Sequence, residues 1–286
     1  MQYLHRTLKD FIEMPKIWNY LCAASGSFDP YVSLCKAYAL EAKLMDMSKS
    51  PITDLVVIVE RAINNCCRAQ KKSDTALIPL LDMLNTAITA QLKRINNRWI
   101  AKRSKDHAVL MPLTIRHDLA FWVEALLKRG HPTSPGGPGI PYLLVAVDAE
   151  AELDMPWNAG KDSNKGPSSK CVLALLEAGA NPHERYREEP IWKFVRHKIV
   201  QDLRSLAHGH HNCSAAPIDT WLDVAETFAR HGADPDSLRR LISPEWITNI
   251  KSRFPAQIDR LMELWSQPER QLRWSHSGRQ RKRKRV

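Results

Sequence analysis

The phrases LLEAGANP (175–182) and FARHGADP (228–235), echoed more weakly by LLKRGHP (126–132), constrain the fold of this chain more than any other feature. Each ends an apolar run on glycine (Gly130, Gly179, Gly232), and each has a proline two or three residues later. Helices commonly end on a left-handed residue, where glycine carries no Cβ penalty. The proline then keeps the helix from resuming, because it has no N–H and its ring clashes with the preceding turn. Three such endings predict copies of one helical unit. Three unrelated helix C-caps are the plain alternative, since glycine ends many helices.

The residues beyond each ending favour the repeat. After Gly130 comes GIPYLLVAV (139–147), and after Gly179 comes EEPIWKFV (188–195). Pro141 and Pro190 suit a helix's first turn, where a missing N–H would have no partner anyway. Together the ending and the restart resemble the ankyrin repeat, with its LLxxGAdpn second helix and T-P-L-H-x-A opening. The resemblance implies stacked helix pairs. The glycines are 49 and 53 residues apart, against about 33 in that family. The excess is expected between the two helices of a repeat, in residues 148–170 and 204–219.

Residues 1–105 read as helices. Leu4, Leu8, Phe11 and Ile12 share one face, and Pro15 stops that run. Asp29-Pro30 predicts a cap and a first-turn proline, followed by a stripe of Tyr31, Leu34, Cys35, Tyr38, Ala42 and Met45. Leu55, Ile58, Val59, Ala62 and Cys66 make a second stripe. Leu77, Leu81, Leu84, Ile88, Leu92, Ile95 and Trp99 make the longest. Residues 243–267 predict capping helices, with Ser243-Pro244-Glu245 as a start signal and Ile258, Leu261, Met262 and Trp265 as an apolar face. The expected organisation is all-α: a helical adaptor region (1–105), about three degenerate ankyrin-like repeats (106–242), capping helices (243–267) and a disordered basic tail (268–286).

The stretch YLHRTLKDFIEMPKIWNYLCAASGSFDPYVSLCKAYAL (3–40) resembles a segment of fungal NACHT-type NTPases. The match is carried by Leu4-His5-Arg6-Thr7, Asp10-Phe11, Trp18, Leu21, Gly26, Phe28-Asp29-Pro30 and Leu34-Cys35. In those proteins the segment follows the nucleotide-binding module and often leads to ankyrin-like repeats. IRHDLAFWVEALLKRG (115–130) is similar to the first of them. The phosphate-cradling G-x-x-x-x-G-K-[ST] is missing. Its nearest approach, MPWNAGKDS (155–163), has Met155 for the first glycine and Asp162 for the Mg²⁺-binding hydroxyl. The NTPase activity therefore does not carry over. Because Met1 falls inside the motif, the chain reads as a detached fragment, a truncated gene product or a stand-alone C-terminal module.

Composition narrows the remaining classes. Net charge is +11, but residues 268–286 hold eight Lys/Arg and one Glu, so the other 267 residues carry only about +4. Basic character thus belongs to the tail, where Arg279, Arg281, Lys282, Arg283, Lys284 and Arg285 repel one another and stay extended. Such a run suits an acidic groove on an import receptor, or phosphates, or serves only to solubilise. The six cysteines contain no C-x-x-C pair and predict a reducing compartment, cytoplasmic or nuclear. The N-terminus lacks the apolar run of a signal peptide, and LVVIV (55–59) is far too short to span a bilayer. No membrane association is expected.

Candidate chemistry is sparse. His208, His210, His211 and Cys213 carry zinc-binding side chains, but a solvated His-rich insertion explains them without a second ligand pair. Asp148, Glu150, Glu152 and Asp154 lack the glycine turn and bidentate glutamate of a calcium loop. Residues 134–139 (SPGGPG) are proline-blocked and read as a loop. Trp192 with Phe194, and Trp221 with Phe228, fit core positions rather than a cofactor stack. No cofactor and no catalysis are expected. The leading expectation is a protein-interaction scaffold with an unidentified partner, by resemblance the sensor end of a fungal signalling protein. The alternatives are a nuclear, nucleic-acid-associated protein acting through its tail, and a subunit serving a separate NTPase chain.

Overall fold

The computed structural model describes residues 14–17, 20, 29–47, 51–70, 74–94, 109–135, 140–147, 166–208, 216–252 and 254–266. The fold is all-α; among the described residues the exception is a hairpin of two two-residue strands. The expected helix carrying Leu4, Leu8, Phe11 and Ile12 lies outside the described residues, as do Ile95, Trp99 and the basic tail.

From Pro30 on, the described residues form three helices: α1 (Pro30–Leu44), α2 (Ile52–Ala69) and α3 (Asp74–Arg94). The α1 start agrees with its sequence signal. Asp29 Oδ1 accepts from the amides of Tyr31 (2.8 Å) and Val32 (3.3 Å), with Pro30 opening the helix. The buried face of α1 is Cys35, Ala39 and Ala42. Leu34 is expected on that face but is 42% exposed; small residues form the close contact with α2 and α3, Tyr31 and Tyr38 pack at its margin, and Leu34 faces outward. The stripes of α2 and α3 are buried as read, from Leu55 to Cys66 and from Leu77 to Leu92. Pro79 lies inside α3 without ending it. Leu77 and Leu81 on either side are fully buried, and that packing outweighs the lost backbone bond.

Gln91 of α3 closes the end of α1. Its Nε2, in a side chain 1% exposed, donates to the carbonyls of Ala42 (3.0 Å), Lys43 (3.2 Å) and Met45 (2.9 Å). A helix end leaves four carbonyls without intrahelical partners, and a side chain from a neighbouring helix satisfies them here. Gln91→Leu, which strands those buried acceptors, should cost about 1–3 kcal/mol by urea unfolding. A loss below the error of the measurement would remove Gln91 from the account of this packing.

Among the described residues four helix pairs follow. They are α4 (Met111–Arg116) with α5 (Ala120–Lys128), α6 (Tyr142–Val147) with α7 (Ser169–Glu177), α8 (Ile191–Ala207) with α9 (Ala216–Arg230), and, after the short α10 (Asp236–Arg239), α11 (Pro244–Lys251) with α12 (Pro255–Trp265). First helices pack on first helices in the order α4, α6, α8, α11, and second helices on second helices in the order α5, α7, α9, α12. The result is a two-row stack, with α3 packed against α5 at its beginning. One apolar core runs from Cys35 to Trp265 through bundle and stack alike.

The three glycine endings are the same structure. Gly130, Gly179 and Gly232 have φ of 86°, 93° and 99°. Each donates to the carbonyl three residues back, at 3.0 Å in every case (Leu127, Leu176, Ala229). The next residue reaches five back: His131 to Leu126, Ala180 to Leu175, Ala233 to Phe228. This paired bonding is the Schellman cap, which satisfies the last carbonyls of a helix.

Several sequence readings shift in the structure. Pro141 and Pro190 stand one residue before their helices rather than inside them, and the Pro141 carbonyl accepts from the Val145 amide in the first turn. Pro190 is held extended because it pairs with Arg185 in the hairpin. The first pair has its own opening proline, Pro112, within α4. Residues 204–207 and 216–219, read as part of an insertion, extend α8 and α9 instead, so helix length absorbs some of the long spacing. In α12, Met262 is 47% exposed and Leu264 takes the core position expected for it. Ser243 and Pro244 do start α11, with Ser243 Oγ accepting from the Glu245 amide at 3.3 Å.

Candidate interaction surface

The middle of the first-helix row offers no side chains to a partner. All six residues of α6 are 2% exposed or less, as befits a helix that is apolar on every side. On this side of the stack the exposed described residues therefore lie at the connections, on α8 and on α11.

The connection between the second and third pairs is an antiparallel hairpin of β1 (Arg185–Tyr186) and β2 (Glu189–Pro190), pairing Arg185 with Pro190 and Tyr186 with Glu189. Its two turn residues, Arg187 and Glu188, have φ of 50° and 68°. A two-residue turn of this kind needs positive φ at both positions, and Asn-Gly is its usual sequence. Arginine and glutamate there cost of order 1–3 kcal/mol each. Both are exposed, and Arg187 lies over the Tyr186 ring, 5.2 Å from its centre. Strain of this kind persists where surrounding structure enforces it, often at sites of recognition.

The surroundings do enforce it. Ile191 N donates to Glu184 O at 3.0 Å, and Ser134 Oγ donates to Glu184 Oε1 at 2.6 Å, tying the preceding connection to this one. Asn181 Oδ1 accepts from the His183 amide at 2.9 Å. On the other side, Lys193 Nζ lies 2.8 Å from Glu189, and that hydrogen bond holds the Glu189 carboxyl below its usual range. Trp192 stacks on Phe228 at 5.6 Å and donates through Nε1 to Asp234 O and Ser237 Oγ, both at 3.0 Å. Arg196 Nη1 donates to Ser237 O at 3.0 Å. The hairpin, α8 and α10 thus form one braced edge, displaying Arg185, Arg187, Glu188, His197, Arg204, Arg239 and Arg240.

Ser168 braces the second pair to the first. Its hydroxyl donates to Asp118, which turns from α4 to α5 at φ 57°, and accepts from the Cys171 amide at 3.3 Å as the cap of α7. Burial pushes the Cys171 thiol up to about 12, so it stays protonated and inert.

Asp202 is a half-buried carboxyl on α8. Burial raises its pKa, against a lowering pull from Lys198. A raised carboxyl favours the folded state in acid and loses that contribution as pH climbs above the ordinary Asp value of 3.8. Asp202→Asn should therefore raise the Tm at pH 7 and leave it unchanged near pH 3. An equal shift at both pH values would point to a cause other than titration.

Of the residues singled out from sequence, Gly130, Gly179, Gly232, Pro141 and Pro190 fall at the helix junctions. Trp192, Trp221 and Phe228 are buried in the core, and Phe194 packs against it. His208 comes just after α8 and is exposed, whereas His210, His211 and Cys213 lie outside the described residues. Arg279, Arg281, Lys282, Arg283, Lys284, Arg285 and the acidic run from Asp148 to Asp154 lie outside them too. Among the described residues no group of three or more His, Cys, Asp or Glu could hold a metal. No described helix is long and apolar enough to cross a membrane. The sequence reading missed the hairpin altogether; RYREEP was its only signal, and Arg-Glu is not a recognisable turn pair.

The fold thus defines a stack of helix pairs joined to a three-helix bundle, with a braced and charged edge. Residues 1–53 match the family model of a domain of unknown function (DUF7791). The match takes in α1 and ends at the start of α2. No curated protein and no solved structure is matched by the chain.

Proposed function

We propose that the chain is a non-catalytic scaffold that binds a protein partner through the edge formed by the hairpin, α8 and α10, and that its four helix pairs are ankyrin-like repeats. The observation that carries this reading is the strained Arg187-Glu188 turn, presented outward on a rigid stack. Paired rows of helices, a Schellman glycine at three of the ends and a hairpin between two pairs all support the ankyrin-like description. The first two pairs, with helices of 6 and 9 residues, are compact units of this type. A stack of this kind supplies an extended surface and needs no catalytic group.

The setting we propose is the sensor end of a fungal NLR-like signalling protein, cytoplasmic or nuclear. DUF7791 often occurs in fungal NACHT proteins, which supports that setting. The basic tail acts as an accessory that engages an import receptor.

The test is proximity crosslinking from the full chain, compared with Arg187→Glu/Glu188→Arg and with a chain lacking residues 278–286. The swap keeps the turn's composition and reverses its charge pattern. A specific partner should be recovered by the parent and the tail deletion, and reduced about tenfold or more by the swap. Recovery of a partner unaffected by the swap would move the site elsewhere. Binding only to DNA, steep in salt and lost with the tail, would favour the nucleic-acid alternative. Nucleotide binding by the isolated chain would overturn the non-catalytic reading.

A further inference from the structure

The thiols of Cys35 on α1 and Cys66 on α2 lie 3.2 Å apart, sulfur to sulfur, in the buried seam between those helices. The backbones come close there because Ala39, Ala42, Ala62 and Ala69 around the pair are all 1% exposed or less. Cys35 Sγ also donates to the Ala62 carbonyl, one turn before Cys66, at 3.4 Å, so its side chain reaches across the seam. A disulfide needs its sulfurs at about 2.05 Å, a further approach of roughly 1 Å. Cys67, the neighbour in sequence, is directed elsewhere, with its Sγ 3.6 Å from the His117 carbonyl.

We propose that Cys35 and Cys66 form a redox-sensitive pair that a peroxide closes into a disulfide, stapling α1 to α2. The two thiols are not equivalent. The hydrogen bond with Cys35 and burial push Cys66 up, and the same hydrogen bond holds Cys35 down. The same balance holds whichever sulfur attacks first, Cys35 or Cys66. With Cys35 first, its thiolate attacks one oxygen of the peroxide, the O–O bond breaks, and the departing hydroxide takes up the Cys35 proton as water. Cys66 sulfur then attacks the resulting sulfenic sulfur, the S–S bond forms, and the displaced hydroxide leaves as water with the Cys66 proton. Two thiols lose two electrons, and one hydrogen peroxide becomes two waters. The bridge would close a loop of 31 residues, from inside the stretch matched by the family model to the helix beyond it.

The experiment uses the full chain carrying Cys22→Ser and Cys67→Ser, so that the tryptic peptides holding Cys35 and Cys66 contain no other cysteine. Folded protein is treated with hydrogen peroxide and digested without reduction. The expected result is a linked peptide pair two hydrogens lighter than its parts, reversed by dithiothreitol. The oxidised chain should also melt roughly 5 °C or more above the reduced one. The linked pair should vanish in a further Cys66→Ala variant whose far-UV circular dichroism is unchanged, with Cys66→Ser as a second check on folding. Over-oxidation of Cys35 to the sulfinic acid without a linked pair would overturn the proposal. So would a pair that forms only in urea, or thiols that stay unreacted.

Discussion

Trp122→Ala should lower the stability of this protein by about 3–5 kcal/mol, seen as a lower urea midpoint with little change in slope. Trp122 on α5 is fully buried where the second-helix row meets α3. Its indole Nε1 donates to Asp82 Oδ1 at 3.0 Å, and Asp82 Oδ2 accepts from Arg129 Nη1 at 2.7 Å. Asn85 on the same helix accepts from the Leu110 amide at 3.1 Å, just before α4. Truncation to alanine removes the largest side chain of this seam and leaves a cavity that rigid helices on both sides cannot close. Folding stabilities are commonly 5–15 kcal/mol, so the loss is a large share of the whole. Trp122→Phe keeps much of the volume and should cost less, about 1–2 kcal/mol, because the indole bond is lost while Asp82 retains Arg129. A Trp122→Ala chain within 1 kcal/mol of the parent would show that the bundle and the stack do not share a cooperative core, whatever their contact in the folded state.

The second large effect comes from the glycine caps taken together. At Gly130, Gly179 and Gly232 an added Cβ would meet no atom within 4 Å. The cost of alanine there is therefore torsional, since φ near 90° is disfavoured for any residue with a side chain. Each Gly→Ala change should cost about 1 kcal/mol or somewhat more, and the triple variant about 3–5 kcal/mol, because each cap bonds within its own helix and the three share no hydrogen-bond partner. Asparagine, which tolerates left-handed backbone, should cost less than alanine at each. Chemical denaturation of the three single variants and the triple one tests this directly. Three similar costs that add would match the identical bonding of the caps. One large cost and two negligible ones would mean that two of the glycines are interchangeable with ordinary residues.

Local signals were the legible part of this fold. The caps at Asp29 and Ser243, the stripes of α2 and α3, and the three glycine endings all depend on residues within a turn or two of one another, and all fall where the sequence puts them. Signals that depend on a neighbour were not legible. Leu34 and Leu264 carry equally apolar side chains, yet one faces out and the other in, according to how closely the adjoining helix approaches. The fourth pair, α11 with α12, reads as a terminal cap in sequence because it lacks a glycine ending; only its place in both rows makes it a unit of the stack.

The candidate surface was less legible still. Arg187-Glu188 carries no turn signature, because the turn is imposed by the Glu184 connection and by Trp192 rather than chosen by the two residues themselves. Cys35 and Cys66 read as two apolar helix positions; only the crossing of α1 over α2 sets their sulfurs side by side.

The sequence by itself determined that this chain is built of helices, with starts at Asp29 and Ser243 and ends at three glycines, because capping and periodicity act over one or two turns. Only the tertiary structure decided which faces are buried, which pairs stack, and which charged turn is held out to solvent, because those outcomes depend on contacts between residues 25 to 50 positions apart in the chain.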